Sequence, residues 1–195
     1  MKPKVAHIIV TDKCGNKCPM CCNKNYNIHT IPLITKEELE SVETICLTGG
    51  EPFMSPNIGD IISRLRPYCK NLYVYASGYE LYQYWKAHKT LHDITGLSLS
   101  PKTLRDWNAI FMLDQDREFR DYLWEKVLSN RLYVFVRKYN SAGYVVSTTN
   151  DNIVYNVING VSHLPFKIIF REWKDEIVSP DGEIFRNIDF EQLGL

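Results

Sequence analysis

Long apolar runs are missing from this chain. No segment of its 195 residues approaches the roughly 20 consecutive apolar residues that a membrane-spanning helix requires. A signal-peptide core is missing as well: Met1-Lys-Pro-Lys-Val leads into a short apolar run that ends in Thr11-Asp-Lys. The expectation is a soluble, cytoplasmic protein with no membrane partner. Net charge is absent too, with 23 Lys+Arg against 23 Asp+Glu. No bulk positive field is there to collect nucleic acid, which is not expected as a partner. There is no Ser–His–Asp or Walker pattern, and His7, His29, His88, His92 and His163 show no metal-ligand spacing. No repeat, low-complexity tract or linker divides the sequence. It reads as one domain over 1–195, with about 174–195 as a tail or hairpin.

Cysteine is the residue whose distribution is unusual. Four of the six fall within nine residues (14, 18, 21 and 22), while Cys46 and Cys69 stand apart and none follows. A disulfide framework belongs to short secreted chains, whereas clustered thiols in a reducing compartment are more often metal ligands. Cys14-Gly-Asn-Lys-Cys18-Pro-Met-Cys21 has C-x3-C-x2-C spacing. Incidental thiols rarely cluster this way. A zinc site wants two separated Cys/His pairs, and the far pair is lacking. Three closely spaced thiolates suit three corners of a [4Fe–4S] cube and leave one iron open. We therefore read Cys14, Cys18 and Cys21 as ligands, Cys22 as a non-ligand, and Cys46 and Cys69 as small apolar packing residues.

With 45% hydrophobic residues, the chain has material for a sizeable core. Apolar, β-branched runs at Val5–Thr11, Thr44–Thr48, Leu72–Ala76, Gly96–Ser100, Arg131–Lys138 and Lys167–Trp173 read as strands. Several are nearly continuous in apolar residues, as in parallel strands covered on both faces. Helical patterns alternate with them. One opens at Thr35-Lys-Glu-Glu-Leu, one spans Asn57–Leu65 and stops at Pro67, and one spans Tyr79–His88. There Tyr79, Tyr82, Tyr84 and Trp85 read as helix packing. A longer region is expected to open with Ser100 as N-cap and Pro101 in the first turn, break at Asp114–Arg117 and run to about Leu128. A last helix is expected over Asp151–Ile158. The fold class is α/β: a partial (β/α)6 TIM-like barrel of parallel strands. Pro180-Asp-Gly between short β-like runs adds a short C-terminal hairpin, Glu176–Phe185.

The cysteines follow the first expected strand, on the face where β/α folds build sites. Gly49-Gly50-Glu51-Pro52 turns off the end of the second. Read alone, that turn is an ordinary strand exit. Glycines there also let backbone approach a ligand closely. The two motifs together resemble the radical S-adenosylmethionine (radical SAM) superfamily, as a minimal single-cluster member.

The resemblance implies two cofactors, a [4Fe–4S] cluster and S-adenosylmethionine. It implies reductive cleavage of the latter to a 5′-deoxyadenosyl radical that abstracts hydrogen from substrate. Cys14, Cys18 and Cys21 would hold the cluster, and Met20 would pack near the adenine. Gly49, Gly50, Glu51 and Pro52 would bind the methionine amine. Ser98 or Ser100, ending the fourth expected strand, would reach the ribose, although Ser100 read alone is also the cap of the next helix. Ser77, Arg137, Lys138 and Arg171, at or near strand ends, could meet substrate or the cofactor carboxylate if they face the barrel mouth. An electron donor such as flavodoxin or ferredoxin is implied. The substrate expected is a small, nucleotide-like molecule. The alternatives are activation of a glycyl-radical enzyme, with a partner protein as substrate, and a non-catalytic zinc or iron–sulfur module.

Overall fold

The structure, a computed structural model, describes residues 4–16, 27–91, 93–126, 130–140, 143–146, 166–172 and 183–195; within 125–172 it describes backbone alone. The strands are β1 (Val5–Thr11), β2 (Thr44–Gly49), β3 (Asn71–Ala76), β4 (Gly96–Leu99), β5 (Asn130–Asn140), β6 (Gly143–Val146), β7 (Phe166–Glu172) and β8 (Glu183–Asn187). The helices are α1 (Lys36–Ser41), α2 (Ile58–Leu65), α3 (Tyr79–His88), α4 (Leu104–Gln115), α5 (Arg117–Lys126) and α6 (Phe190–Leu193). All six expected strands are present, and the helix expected over Asp151–Ile158 lies outside the described residues. The α/β class and the parallel pairing expected of a partial TIM-like barrel are what the chain has.

The chain forms two compact units, one of residues 1–75, 91–95 and 176–195, the other of 76–90 and 96–175. In the first, four strands pair in parallel in the order β8-β1-β2-β3. One face is a dry apolar layer: Ala6, Ile8, Ile45, Leu47, Leu72 and Val74 are each 0% exposed. Burying side chains of the larger kind contributes roughly 1.5–3 kcal/mol each. Between parallel β2 and β3, α2 makes the crossover and buries Ile58, Ile61, Ile62 and Leu65, the stripe its helical spacing predicts.

The opposite face carries polar and aromatic groups. Register places Phe185, His7, Cys46 and Tyr73 in one row across four strands. The His7 ring stacks on Phe185 at 4.5 Å and meets the Tyr75 edge at 5.8 Å. Its Nε2 lies 2.9 Å from the Glu183 carboxylate. Cys46 and Cys69 are buried, as expected, and burial raises the Cys69 thiol above its ordinary range.

Most of the C-terminal hairpin expected over Glu176–Phe185 lies outside the described residues. The first arm, residues 176–178, lies outside the described residues, while Glu183–Phe185 joins the main sheet as part of β8, parallel to β1. The edge of β1 offers a whole row of backbone partners, and β8 covers it. A 3-10 turn over Ile28–Thr30 precedes a single bridge from Leu33 to Asn187 of β8.

In the second unit, parallel β4 and β7 flank β5, whose C-terminal half also pairs antiparallel with β6. Arg137 and Lys138 therefore do not end a strand, because β5 runs on to Asn140 and a register shift falls between Val136 and Lys138. The helix after β4 starts later than expected. Its N-cap is Thr103, in a capping box with Asp106, and not Ser100. The break expected at Asp114–Arg117 is present at Asp116, which accepts from Phe119 N–H (3.0 Å) and Trp85 Nε1 (3.1 Å). Trp85 is 1% exposed and meets Phe119 edge-on, so this ring is core, as its helical setting suggests.

Returning to the first unit, the Thr35–Glu38 capping box opens α1, and Arg186 of β8 grips the Glu38 carboxylate through Nε (2.9 Å) and Nη2 (2.6 Å). The Arg186 hydrogen bonds hold the Glu38 carboxyl below its ordinary range. Because the folded-state value is depressed, the stabilisation is present at neutral pH and is lost as pH falls through that lowered value. Glu38→Gln should cost about 1 kcal/mol at pH 7, discounted for partial exposure. Urea unfolding should show that difference shrinking below the carboxylate range. A difference that persists unchanged in acid would contradict this role.

Candidate functional site

The ends of β1 and β2 meet through main chain. The parallel register shifts between Ile9 and Thr11, so Thr11 stands opposite Gly49. Gly50 N–H donates to the Thr11 carbonyl at 2.7 Å, and Glu51 N–H donates to the Lys13 carbonyl at 2.8 Å. Lys13 N–H in turn donates to Thr11 Oγ1 at 3.1 Å, tightening the turn that delivers Cys14. Cys14 is exposed, makes no disulfide, and lies in the loop directly after β1.

Both glycines are required by this approach. Gly49 has φ +128°, a conformation L side chains rarely adopt, and a Cβ there would overlap the Thr11 carbonyl. A Cβ on Gly50 would overlap the Lys13 carbonyl, a backbone group with little freedom to yield. Glu51 follows, 2% exposed, and Pro52 opens a 3-10 turn through Met54. Glu51 Oε1 caps that turn by accepting from Phe53 N–H at a long 3.5 Å. Glu51 thus has a structural role available to it, and its carboxylate is buried beside the backbone that leads to Cys14.

The structure accordingly brings Gly49, Gly50, Glu51 and Pro52 to the start of the cysteine segment. Cys18, Met20 and Cys21 lie outside the described residues. Among the described residues no group of three or more His, Cys, Asp or Glu is placed to hold a metal. The described part fits the cluster in one respect: Cys14 supplies an exposed sulfur donor just past the end of β1.

The other expected residues fall in the second unit. Ser77 follows β3, and Ser100 N–H donates to the Ala76 carbonyl at 2.8 Å, so these two serines stand near one another. Ser98 is 3% exposed on β4, opposite Arg131 of β5. Asp106, 0% exposed, ties the loops here together. Its carboxylate accepts from Tyr79 N–H, Lys102 N–H, Thr103 N–H and Thr103 Oγ1. Sequence reasoning missed Asp106, although Thr103-Leu-Arg-Asp106 has the residue types of a capping box. Arg137 and Lys138 lie within β5, and Arg171 lies late in β7 opposite Phe135.

The fold and site define an α/β protein with a glycine-cradled turn beside an exposed cysteine. No family model matches the sequence. The chain is 24% identical, in an alignment 204 residues long that covers 97% of its own length, to a protein named GTP 3′,8-cyclase from Aquifex aeolicus (strain VF5). It spans 62% of the length of that relative. Among the described residues no helix is long and apolar enough to cross a membrane.

The glycine geometry makes a quantitative prediction. Gly50→Ala should lose about 2 kcal/mol in denaturant unfolding, the range for inserting a methyl against a rigid neighbour. Gly49→Ala should lose about 1–2 kcal/mol more, because it adds an unfavourable backbone conformation. Either variant unfolding within about 0.5 kcal/mol of wild type would show that the turn is looser than described.

Proposed function

We propose that this protein is a radical SAM enzyme that acts on a small, nucleotide-like substrate. The observation that carries the reading is the docking of Gly49–Glu51 on the backbone immediately before Cys14. It sets Cys14 and the Gly-Gly-Glu-Pro turn at adjacent strand ends, which supports a shared cofactor. The relative named GTP 3′,8-cyclase supports the same reading. A nucleotide in that name favours a nucleotide-like substrate here over a partner protein.

In this reading Cys14, Cys18 and Cys21 hold a [4Fe–4S] cluster, with S-adenosylmethionine as the second cofactor. With both bound, reduction by a flavodoxin or ferredoxin supplies the 5′-deoxyadenosyl radical. The chain itself binds and orients. Gly49 and Gly50 keep Cβ atoms away, the turn and the Glu51 carboxylate receive the methionine amine, and Met20 packs against the adenine. Ser98 or Ser100 meets the ribose, and Ser77, Arg137, Lys138 and Arg171 serve the substrate or the cofactor carboxylate. The protein works in the cytoplasm.

Anaerobically reconstituted protein should carry about four irons per chain and release 5′-deoxyadenosine when reduced with S-adenosylmethionine. Cys14→Ser should lose the iron. Glu51→Gln keeps an oxygen to cap Phe53 and removes the charge. It should retain the iron and slow deoxyadenosine release at least about tenfold, or about 1.4 kcal/mol. Zinc in place of iron in the wild type would sink the reading.

A further inference from the structure

Parallel strands ordinarily carry apolar side chains on both faces, and the sheet of the first unit does so on one face only. The other face centres on His7 of β1. Phe185 of β8 stacks on the His7 ring at 4.5 Å, and Tyr75 of β3 meets it edge-on at 5.8 Å. Tyr73 stands in the same row as His7, two strands away. These three aromatic side chains are half-buried, whereas His7 is 8% exposed. Burying an imidazole here costs desolvation that an aliphatic side chain would avoid. Departures of that kind concentrate at functional sites.

One ring nitrogen is already committed. Nε2 lies 2.9 Å from Glu183 Oε2. A carboxylate only accepts, so Nε2 carries the hydrogen and the tautomer follows from the partner. In the neutral ring Nδ1 is then an acceptor. Among the described residues no group donates to it. An acceptor on a buried side chain calls for a donor, and the surrounding rings suit a flat ligand. A ring N–H fits best, because one acceptor satisfies its single hydrogen, whereas an amino group brings a second hydrogen to be met.

We propose that the His7–Glu183 pair is a specificity determinant of the substrate site: Glu183 fixes the imidazole, and His7 Nδ1 accepts from the ring N–H of a nucleobase. Guanine and uracil carry such an N–H; adenine and cytosine in nucleosides do not. This rests on the reading of the protein as an enzyme for a nucleotide-like substrate. His7 precedes Thr11 by four residues, about 13 Å along a strand. It therefore stands away from the strand ends where Cys14 and the Gly-Gly-Glu-Pro turn meet, and it reads the base without joining the reaction at the cofactor.

The test titrates full-length protein, reconstituted anaerobically with S-adenosylmethionine present, by calorimetry. The probes are guanosine, 1-methylguanosine, uridine and 3-methyluridine; in each pair a methyl group replaces the ring N–H. Wild type should bind at least one parent nucleoside about tenfold or more tightly than its methylated form, the range for leaving an acceptor unmet. His7→Phe keeps a ring against Phe185 and removes both nitrogens, so it should bind parent and methylated forms alike. Urea midpoints check that it folds; if it does not, His7→Met is read by the same criterion. Equal affinities in wild type, or discrimination that persists without the imidazole, would overturn the inference. A wild type that releases 5′-deoxyadenosine yet binds none of the four also overturns it and leaves the radical SAM reading intact. A wild type that takes up no iron and binds none of them overturns both.

Discussion

Two backbone hydrogen bonds, Gly50 to Thr11 and Glu51 to Lys13, set the spacing between the ends of β1 and β2. Each is an ordinary amide–carbonyl contact, with a net value of about 1 kcal/mol. Their importance comes from what they exclude. Neither carbonyl could be reached if the residues opposite carried a Cβ, so the contact is available to glycine and little else. The irregular register at Ile9–Thr11 is part of the same arrangement, since it brings Thr11 opposite Gly49. Cys14 then follows one residue after the second acceptor. The spacing between Cys14 and the Gly-Gly-Glu-Pro turn is thus set by main chain and not by side chains.

The rest of the first unit supports that junction from both faces of its sheet. The dry face is filled by fully buried aliphatic side chains of β1, β2 and β3, which give the strands a rigid base. The other face is polar and aromatic, with His7 in contact with Glu183, Phe185 and Tyr75. β8 takes part on both faces. Arg186 joins the α1 cap through Glu38, and Asn187 holds the chain beyond the cysteines. A strand late in the sequence thereby pairs with β1 and bonds the 28–34 segment, on either side of the cysteines in sequence.

Much of this was legible in the residues themselves. Six apolar, β-branched runs identified six strands, and the Thr35-Lys-Glu-Glu-Leu start marked a helix that the structure has. The adjacency of Cys14 to Gly49–Pro52 was readable because each follows a strand, and neighbouring parallel strands deliver their ends to one face. Non-local pairing was not readable. Pro180-Asp-Gly before Glu183 is a local hairpin signal, whereas the parallel pairing of Glu183–Asn187 with β1, more than 170 positions earlier, has no local signal. Asn187 carried no signal, because its four partners are set by tertiary contact. The cap of α4 was misplaced for a different reason. Ser100-Pro101 and Thr103-x-x-Asp106 both resemble helix starts, and the reciprocal box decides in favour of the second.

The central claim is that the Gly-Gly-Glu-Pro turn and the cysteine segment form one cofactor site. Electron paramagnetic resonance of the reduced protein, recorded with and without S-adenosylmethionine, tests it most directly. If the methionine amine and carboxylate reach an open iron beside the turn, adding S-adenosylmethionine changes the cluster's g-values, and Glu51→Gln diminishes that change. A reduced cluster whose spectrum is identical with and without S-adenosylmethionine would contradict the claim.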